Sequence, residues 1–235
     1  MSKSPSNQKD LPYHICFIVD GNRRWANEKG LPTFMGHKKG AERIEEIVKY
    51  AQGLGIKIVT IYAFSTENWK RSEKEVSYLM KLFEDFAINK TKDADMLGMK
   101  IRILGNLQEL PPSLQKVLKK GMELTENNKK MIVNAALSYG GRDEITRTFR
   151  KLTVLGVKPG EITEELINKN LDTAGLPDPD FVIRTSGEQR LSNFLPWQAT
   201  YSELYFPKVY WPDFDKRQLD IAILEFQMRQ RRLGK

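Results

Sequence analysis

Short apolar runs alternate along this chain with longer stretches in which apolar residues recur at helical spacing. The first run, Ile15–Val19, is continuous rather than alternating, which is typical of a strand buried on both faces. Strands that alternate with helices along a chain build a mainly parallel sheet covered by helices. The pattern therefore predicts a single-domain α/β fold with a central, mainly parallel six-stranded sheet flanked by helices.

The same periodicities place the individual elements. The predicted strands after the first are 56–64, 100–104, 131–137, 181–184 and 204–206. The predicted helices are one that starts near residue 22, and 41–51, 73–96, 112–126, 143–155, 163–171 and 214–232. Ligands of such sheets bind outside the carboxyl ends of the strands, so polar residues at those ends are the candidates for a site.

Length and composition limit the class of protein. The 235 residues suffice for one well-buried domain, and no apolar run approaches the roughly 20 residues of a membrane span. Residues 1–12 are polar, which predicts a flexible tail rather than a signal peptide and leaves 13–235 as the domain. Cys16 is the single cysteine; we expect it in the core, without disulfides, in a cytoplasmic protein.

The formal net charge of +8 raises the question of nucleic-acid binding. The lysines cluster in predicted helices, as at 116–120, where a solvated face is the simpler explanation. Because no basic run is interleaved with aromatic residues, we expect no nucleic-acid partner. A basic surface serves diphosphate substrates or an anionic membrane equally well, so peripheral contact with a membrane stays open.

The first strand leads directly into a polar junction, Asp20–Arg24. We expect Asp20 at the carboxyl end of the strand and Asn22 as the cap of the following helix. Helix N-termini bind anions, and Arg23 and Arg24 raise that affinity. Magnesium needs only one or two carboxylates beside substrate oxygens, so the junction predicts a magnesium diphosphate site. The alternative is that Asp20 only caps the helix.

Three further strand ends are unusually polar, at residues 65–75, 184–193 and 203. Arg184 continues a buried strand, which is costly unless its guanidinium group meets anions. Arg190 lies within one loop of it, and guanidinium groups match phosphate oxygens in bidentate fashion. The alternative is that Arg184 forms an ordinary ion pair with Glu188.

Several candidates have simpler explanations when taken singly. His37 could be structural, Ser65 and Asn68 could shape a turn, and Trp69 could belong to the core. Two histidines in the whole chain argue against a histidine metal cluster. The glycine-rich loops of nucleotide enzymes and the serine elbow of hydrolases are both missing from the sequence. Anion binding without those loops, beside long apolar helices, indicates a lipid-like diphosphate.

Six motifs carry a resemblance to a known family. They are D-G-N-R-R-W-A at 20–26, G-H at 36–37, Y-A-F-S-T-E-N-W-K-R at 62–71, Y-G-G-R at 139–142, the segment 183–193, and E-L-Y-F at 203–206 with W-P-D-F at 211–214. In this order they resemble the cis-prenyltransferases, and the chain is similar to bacterial undecaprenyl diphosphate synthase over residues 13–235. The resemblance implies that family's fold, a hydrophobic tunnel, a homodimer and Mg²⁺. It also implies repeated addition of isopentenyl diphosphate to an allylic diphosphate, with formation of cis double bonds.

The resemblance also implies roles for individual residues. Asp20 and Asn68 would be catalytic, and Glu203 would be a second magnesium ligand beside Asp20, acting across the dimer. The allylic diphosphate would be bound by Gly21, Asn22, Arg23, Arg24, Trp25, His37, Ser65, Thr66, Trp69, Arg71 and Glu75. Isopentenyl diphosphate would be bound by Arg184, Arg190 and Ser192. The segment 232–234 would reach the diphosphate site of the neighbouring subunit.

One predicted helix and one predicted strand supply the expected tunnel walls. The candidates are Val76, Leu79, Met80, Phe83, Phe86, Ala87 and the strand 131–137, and the alternative is that they form ordinary core. Thr33 stands where long-chain members of the family often carry arginine, and Tyr78 is bulkier than usual, so product length stays open. A non-catalytic subunit of the same fold is the competing hypothesis, although the complete set of polar motif residues favours an enzyme.

Overall fold

The computed structural model of the protein describes residues 11–229. Its strands and α-helices, in chain order, are β1 (His14–Ile18), α1 (Asn22–Glu28), α2 (Thr33–Leu54), β2 (Ile58–Ser65), α3 (Glu73–Met96), β3 (Met99–Leu104), α4 (Pro112–Leu124), β4 (Met131–Tyr139), α5 (Gly141–Val154), α6 (Glu164–Asn168), β5 (Phe181–Arg184), β6 (Glu203–Tyr205) and α7 (Lys216–Met228). Short 3₁₀ helices lie at Thr66–Lys70, Leu107–Glu109, Pro159–Glu161 and Trp211–Asp213. All six predicted strands are present.

The six strands form one sheet in the order β3-β4-β2-β1-β5-β6, and every neighbouring pair is parallel. This confirms the predicted α/β architecture. Every residue of β1 is buried, as its continuous apolar run predicted. Because Ile18 of β1 is level with Tyr62 of β2 and Arg184 of β5, the carboxyl ends of these three strands meet at one edge.

The two faces of the sheet are covered differently. On one face, Phe17 packs against Trp211 and Phe214, with ring centroids 5.6 and 6.0 Å away, and α2 and α7 complete this cluster. On the other face, Cys16 joins a cluster with the segment that follows β5. Cys16 is fully buried, as predicted, and burial raises the pKa of its thiol.

Helix α2 begins at Thr33, eight residues before the start that apolar spacing predicted. The buried side of its first two turns carries Gly36, His37 and Gly40 instead of large apolar side chains. Apolar periodicity therefore gives no signal there. The early start matters for the site, because these turns pack against α1.

The packed domain begins slightly before residue 13, its predicted start. Leu11 packs against the main core cluster and Pro12 is buried, although both were assigned to the tail. The rest of that tail, and the predicted segment 232–234, lie outside the described residues. None of the helices between residues 11 and 229 has the length and apolar character needed to cross a membrane.

Candidate active site

A polar cleft of about 790 Å³ opens at the edge where β1, β2 and β5 end. It lies where parallel sheets bind their ligands. Its polar lining consists of Asp20, Asn22, Arg23, Arg24, Asn27, His37, Tyr62, Ser65, Glu67, Asn68, Arg71, Arg184, Ser192 and Asn193, together with the backbone of Gly21. Residues from three separate junctions of the sequence therefore converge.

Asp20 lies between two arginines of the cleft. Its Oδ2 accepts a hydrogen bond from Arg184 Nη2 at 2.9 Å, and its Oδ1 accepts from Arg24 Nη2 at 3.2 Å. Burial would raise the pKa of Asp20, but the guanidinium groups of Arg184 and Arg24 and the Gly21 N–H outweigh it, and the pKa falls below its ordinary value. Asp20 is therefore ionised at neutral pH.

Gly21 occupies the N-cap position of α1, and no side-chain hydrogen bond caps this helix. Its φ of 103° is a left-handed conformation that favours glycine, and a Cβ there would lie 2.6 Å from Cδ1 of Tyr210. The predicted cap, Asn22, is instead the first helical residue, and its amide donates to the Val19 carbonyl at 3.2 Å. Both predicted capping roles, for Asn22 and for Asp20, are therefore wrong, because the backbone turn at Gly21 starts the helix.

Arg184 is buried, with 5% of its surface exposed. Its Nη1 donates to Ser192 Oγ at 2.7 Å and to the carbonyl of Arg190. Its Nε is buried without a hydrogen-bond partner, which leaves one donor of the guanidinium group unused. The alternative pair of Arg184 with Glu188 is not formed.

Glu188 instead bridges two other arginines. One carboxylate oxygen accepts from Arg24 Nη1 at 2.9 Å, and the other accepts from Arg190 Nη1. Hydrogen bonds from Arg190 are the main reason that the pKa of Glu188 is lowered. Arg190 does not line the cleft, and it is linked to the lining residue Arg24 only through Glu188, which the sequence suggested as the partner of Arg184.

A second carboxylate, Glu75, contacts two arginines and one histidine of the cleft. It lies 3.0 Å from Arg71, 3.3 Å from His37 Nε2 and 3.7 Å from Arg23. Burial is the main cause that lowers the pKa of His37 despite its bond to Glu75, so the ring is neutral at pH 7. Glu75 is not among the residues that line the cleft, so it holds Arg23, Arg71 and His37 from outside the lining.

The 3₁₀ helix after β2 combines structural and cleft-facing roles. The backbone N–H of Ser65 donates to Asn68 Oδ1 at 3.1 Å, so these residues do shape a turn, and both also line the cleft. Trp69 packs edge-on against Phe64 and donates to Ser138 Oγ at 2.7 Å. The structure does not bring Trp69, Thr66 or Trp25 into the lining of the cleft.

An apolar cavity of about 180 Å³ lies behind the cleft, between the sheet and helices α2, α3 and α4. Ala63 lines both spaces, so the cavity is adjacent to the cleft at this residue. Of the predicted wall, Phe83, Phe86 and Ala87 and the inward residues of β4 line the cavity. The other three predicted wall residues do not line it, because they face α4 or the cleft: Val76, Leu79 and Met80.

The sequence model of the prenyltransferase family, described as undecaprenyl diphosphate synthase, matches residues 18–234. The chain belongs to this family. An isoprenyl transferase of Streptococcus pneumoniae is 48% identical over 232 residues, which cover 95% of this chain and 92% of the relative. An isoprenyl transferase of Agrobacterium fabrum is 43% identical over 97% of this chain and 94% of its own.

Solved structures of prenyl diphosphate synthases have the same fold. Lavandulyl diphosphate synthase from Lavandula x intermedia, in complex with dimethylallyl diphosphate, superposes with a TM-score of 0.93 at 34% identity, over 97% of this chain and 100% of its own. A probable undecaprenyl diphosphate synthase from Campylobacter jejuni gives 0.80 at 29% identity, over 95% and 99% of the two chains. The protein is therefore a prenyltransferase of this family.

Four polar residues of the cleft lining were not assigned a role from the sequence: Asn27, Tyr62, Glu67 and Asn193. Asn193 donates to Glu67 Oε1 at 2.9 Å and accepts from the backbone N–H of Arg142 at 2.9 Å. It thereby joins the loop after β5 to the turn after β2. Tyr62 contributes its ring to the floor of the cleft. Tyr62, Glu67 and Asn193 lie inside the motif segments of the family, which was the available signal, and Asn27 directly follows the first segment.

Glu203 lies apart from this arrangement. It begins β6, level with the first residue of β5, Phe181, whereas the cleft lies beyond the last, Arg184. Three residues of strand separate the two levels by about 10 Å. The carboxylate of Glu203 accepts from Arg229 Nη1 at 2.9 Å. Within one protomer, Glu203 does not share a site with Asp20.

Proposed function

We propose that this prenyltransferase condenses isopentenyl diphosphate with an allylic prenyl diphosphate such as farnesyl or geranylgeranyl diphosphate. The product would be a cis-polyprenyl diphosphate, the precursor of a lipid carrier. The observation that supports this proposal is that Ala63 lines both a cationic cleft and an apolar cavity. A prenyl diphosphate has the same two parts, an anionic head and a hydrocarbon tail.

Two groups of hydrogen-bond donors, each with at least one arginine, suit two diphosphates. Arg24, Arg71 and the neutral ring of His37 lie around the start of α1 and would bind the allylic diphosphate. Arg184, with its unused Nε donor, and Ser192 would bind isopentenyl diphosphate. The structural relative that binds dimethylallyl diphosphate supports an allylic diphosphate as one substrate. The apolar cavity would then serve as the tunnel for the growing chain.

The residues of the cleft would mainly stabilise the negative charge on the leaving diphosphate. When the allylic C–O bond breaks, its electron pair leaves with the diphosphate, and the guanidinium groups that bind its oxygens would stabilise the departing charge. The double bond of isopentenyl diphosphate then forms the new C–C bond, and one proton is lost from that unit. Asn68, at the turn after β2, would orient the reacting groups.

The donor set of the cleft fits magnesium through a single carboxylate. Asp20 is ionised and partly exposed, and magnesium bound with substrate phosphates requires no more than one or two carboxylates. Among residues 11–229, no cluster of three or more histidine, cysteine or acidic side chains forms a separate metal site. Bound there, magnesium would neutralise diphosphate oxygens as a Lewis acid.

The assembly and location follow from the same proposal. We propose a homodimer in which Glu203 completes the partner's site as the second magnesium ligand. We further propose that the enzyme works in the cytoplasm, with peripheral contact to membranes that receive its hydrophobic product. Flotation with anionic liposomes tests that contact, and a protein that stays at the bottom of the gradient contradicts it.

The experiment that tests the reaction is incorporation of radiolabelled isopentenyl diphosphate into each allylic primer, with products resolved by thin-layer chromatography. We expect magnesium-dependent products, and their chain length follows from the same plates. Asp20→Ala should lower turnover at least about a hundredfold, because the leaving diphosphate loses its metal-binding carboxylate. Unchanged circular dichroism is the control for folding. A purified chain that incorporates no label with any primer contradicts the proposal.

A further inference from the structure

Helices α2 and α3 run side by side over the apolar cavity and form its solvent side. Near the cleft they touch where the rings of Phe34 and Tyr78 lie 5.7 Å apart. They touch again where Lys90 Nζ of α3 lies 2.8 Å from Glu45 Oε2 of α2. On each helix these contacts are three turns apart, about 17 Å at 1.5 Å per residue.

Glu45 is the centre of the second contact. Its Oε1 also lies 2.7 Å from Lys49 Nζ, one turn further along α2. Hydrogen bonds from Lys49 and Lys90 lower the pKa of Glu45, so the group stays charged. We call this three-residue arrangement the Glu45 bridge.

The Glu45 bridge borders both the cavity and the solvent. Glu45, Lys49 and Lys90 all line the cavity, yet their side chains are 25%, 44% and 38% exposed. Apart from them, Asp93 is the one charged residue in the lining, which otherwise consists mainly of aliphatic and aromatic side chains. The apolar wall of the cavity therefore ends at the charged side chains of the Glu45 bridge, which lie between the cavity and the solvent.

We propose that the Glu45 bridge is a latch across the gap between α2 and α3, which limits the length of hydrocarbon that the cavity retains. Glu45 and Lys90 are thus specificity-determining residues for product length, an inference that rests on the proposed function. A growing hydrocarbon gains free energy from burial while its wall is apolar. Past the bridge, it must break the ion pair or desolvate the charges.

The latch is tested first by binding, without turnover. The probes are n-alkyl phosphates of increasing chain length, whose dissociation constants are measured by calorimetry. In the wild-type protein we expect the affinity to rise about fourfold per methylene up to a limiting length and then to level off. Lys90→Glu, which places two carboxylates together, should move that limit to longer chains by several methylenes.

Charge reversal separates the ion pair from other effects of substitution. In Glu45→Lys/Lys90→Glu the attraction is restored, and we expect the limiting length of the wild type to return. Lys81→Glu is the control, because Lys81 forms a similar pair with Asp85 on the exposed side of the same helix. Exposed pairs contribute little to stability, so all three variants should fold. Radiolabelled products of Lys90→Glu should also be longer than those of the wild type.

Two results would overturn the latch. One is an identical limiting length for the wild type and Lys90→Glu; the other is a double variant that keeps the limit of the single one. In both cases a normal chain-length series and normal incorporation by the wild type leave the proposed function intact. A wild type that binds alkyl phosphates without any dependence on chain length contradicts both proposals.

Discussion

At the scale of single residues, the arginines of the cleft are already paired with carboxylates of the same chain. The pairs are Arg23 and Arg71 with Glu75, Arg24 with Asp20 and Glu188, and Arg184 with Asp20. Arg190, which does not line the cleft, also pairs with Glu188. A diphosphate that binds these arginines must compete with those carboxylates. Part of the binding free energy is therefore spent on rearranging the site itself.

Glu188 should act as an internal competitor for anions, because it joins Arg24 to Arg190. We expect Glu188→Gln to bind inorganic pyrophosphate several-fold more tightly, since a neutral amide holds guanidinium groups less strongly than a carboxylate. Calorimetry without magnesium measures this. Glu164→Gln, an exposed change of equal charge on α6, should have no effect. Weaker pyrophosphate binding by Glu188→Gln would show that Glu188 supports the loop instead.

His14 should make the folding free energy depend on pH. Its Nδ1 donates to the Pro177 carbonyl at 2.9 Å and its Nε2 accepts from Thr60 at 2.8 Å, and burial is the main cause that lowers its pKa to about 4. The unfolded chain, with a pKa near 6.5, binds more protons between these values. Stability should therefore fall as the pH drops from about 6.5 to 4, by up to about 3 kcal/mol.

Urea unfolding at a series of pH values measures this dependence. The free energy of unfolding of His14→Gln should change much less with pH between about 4 and 6.5, because the titrating ring is gone. An equal pH dependence of the free energy of unfolding in both proteins would assign the effect to another titrating group. His37 is the first candidate, since its pKa is lowered too.

At the scale of elements, the cleft depends on the close approach of α1 to α2. A Cβ at Gly36 would lie 2.0 Å from the Asn22 carbonyl, and one at Gly40 would lie 2.4 Å from Asn22 Oδ1. These two glycines, one turn apart, let the start of α1 rest directly on α2. His37 follows Gly36 immediately, so the same contact places a cleft residue.

Gly36→Ala should separate the two helices. We expect a loss of roughly 1–3 kcal/mol in the free energy of unfolding, the usual cost of overpacking, and weaker binding of the allylic diphosphate. Gly53→Ala is the matched control on the same helix, where a Cβ meets nothing within 4 Å. It should stabilise the protein by up to about 1 kcal/mol. Equal thermal stability of the two variants would contradict the role given to Gly36.

At the scale of the whole molecule, the proposed dimer follows from the position of Glu203. Glu203 lies at the amino end of β6, whereas Asp20 follows the carboxyl end of β1 in the same chain. The proposed magnesium site shared by these two residues would therefore require a second protomer. The surface also carries exposed apolar side chains on and after α5, namely Phe149, Val154 and Leu155. Exposed apolar side chains of this size are candidates for burial between subunits.

Subunit mixing tests this arrangement. Asp20→Asn and Glu203→Gln should each be inactive alone. After denaturation and refolding together, half of the dimers are mixed and each mixed dimer has one intact site, so about a quarter of wild-type activity should return. Refolded single variants are the controls. No recovery in a mixture that forms dimers by light scattering would place Glu203 outside the partner's site.

The sequence by itself determined the order of strands and helices, because apolar periodicity is a local property of the chain. β5 was predicted with its observed bounds, and the convergence of Asp20, Ser65 and Arg184 followed from the parallel order of their strands. The sequence could not determine which charges pair. Arg24 and Glu188 are separated by more than 160 residues, and only the packed turns after β1 and β5 bring them together.

The tertiary structure also decided how α1 is capped, the early turns of α2 and the wall of the cavity. A left-handed backbone at Gly21 and a helix contact through Gly36 leave no apolar pattern to detect. The apolar residues of α3 all suited a tunnel wall, but only those turned toward the sheet and α2 line the cavity. Which side chains of a helix line a cavity depends on the elements packed around that helix. Long-range packing places those elements, so the sequence pattern of the helix alone does not determine the lining.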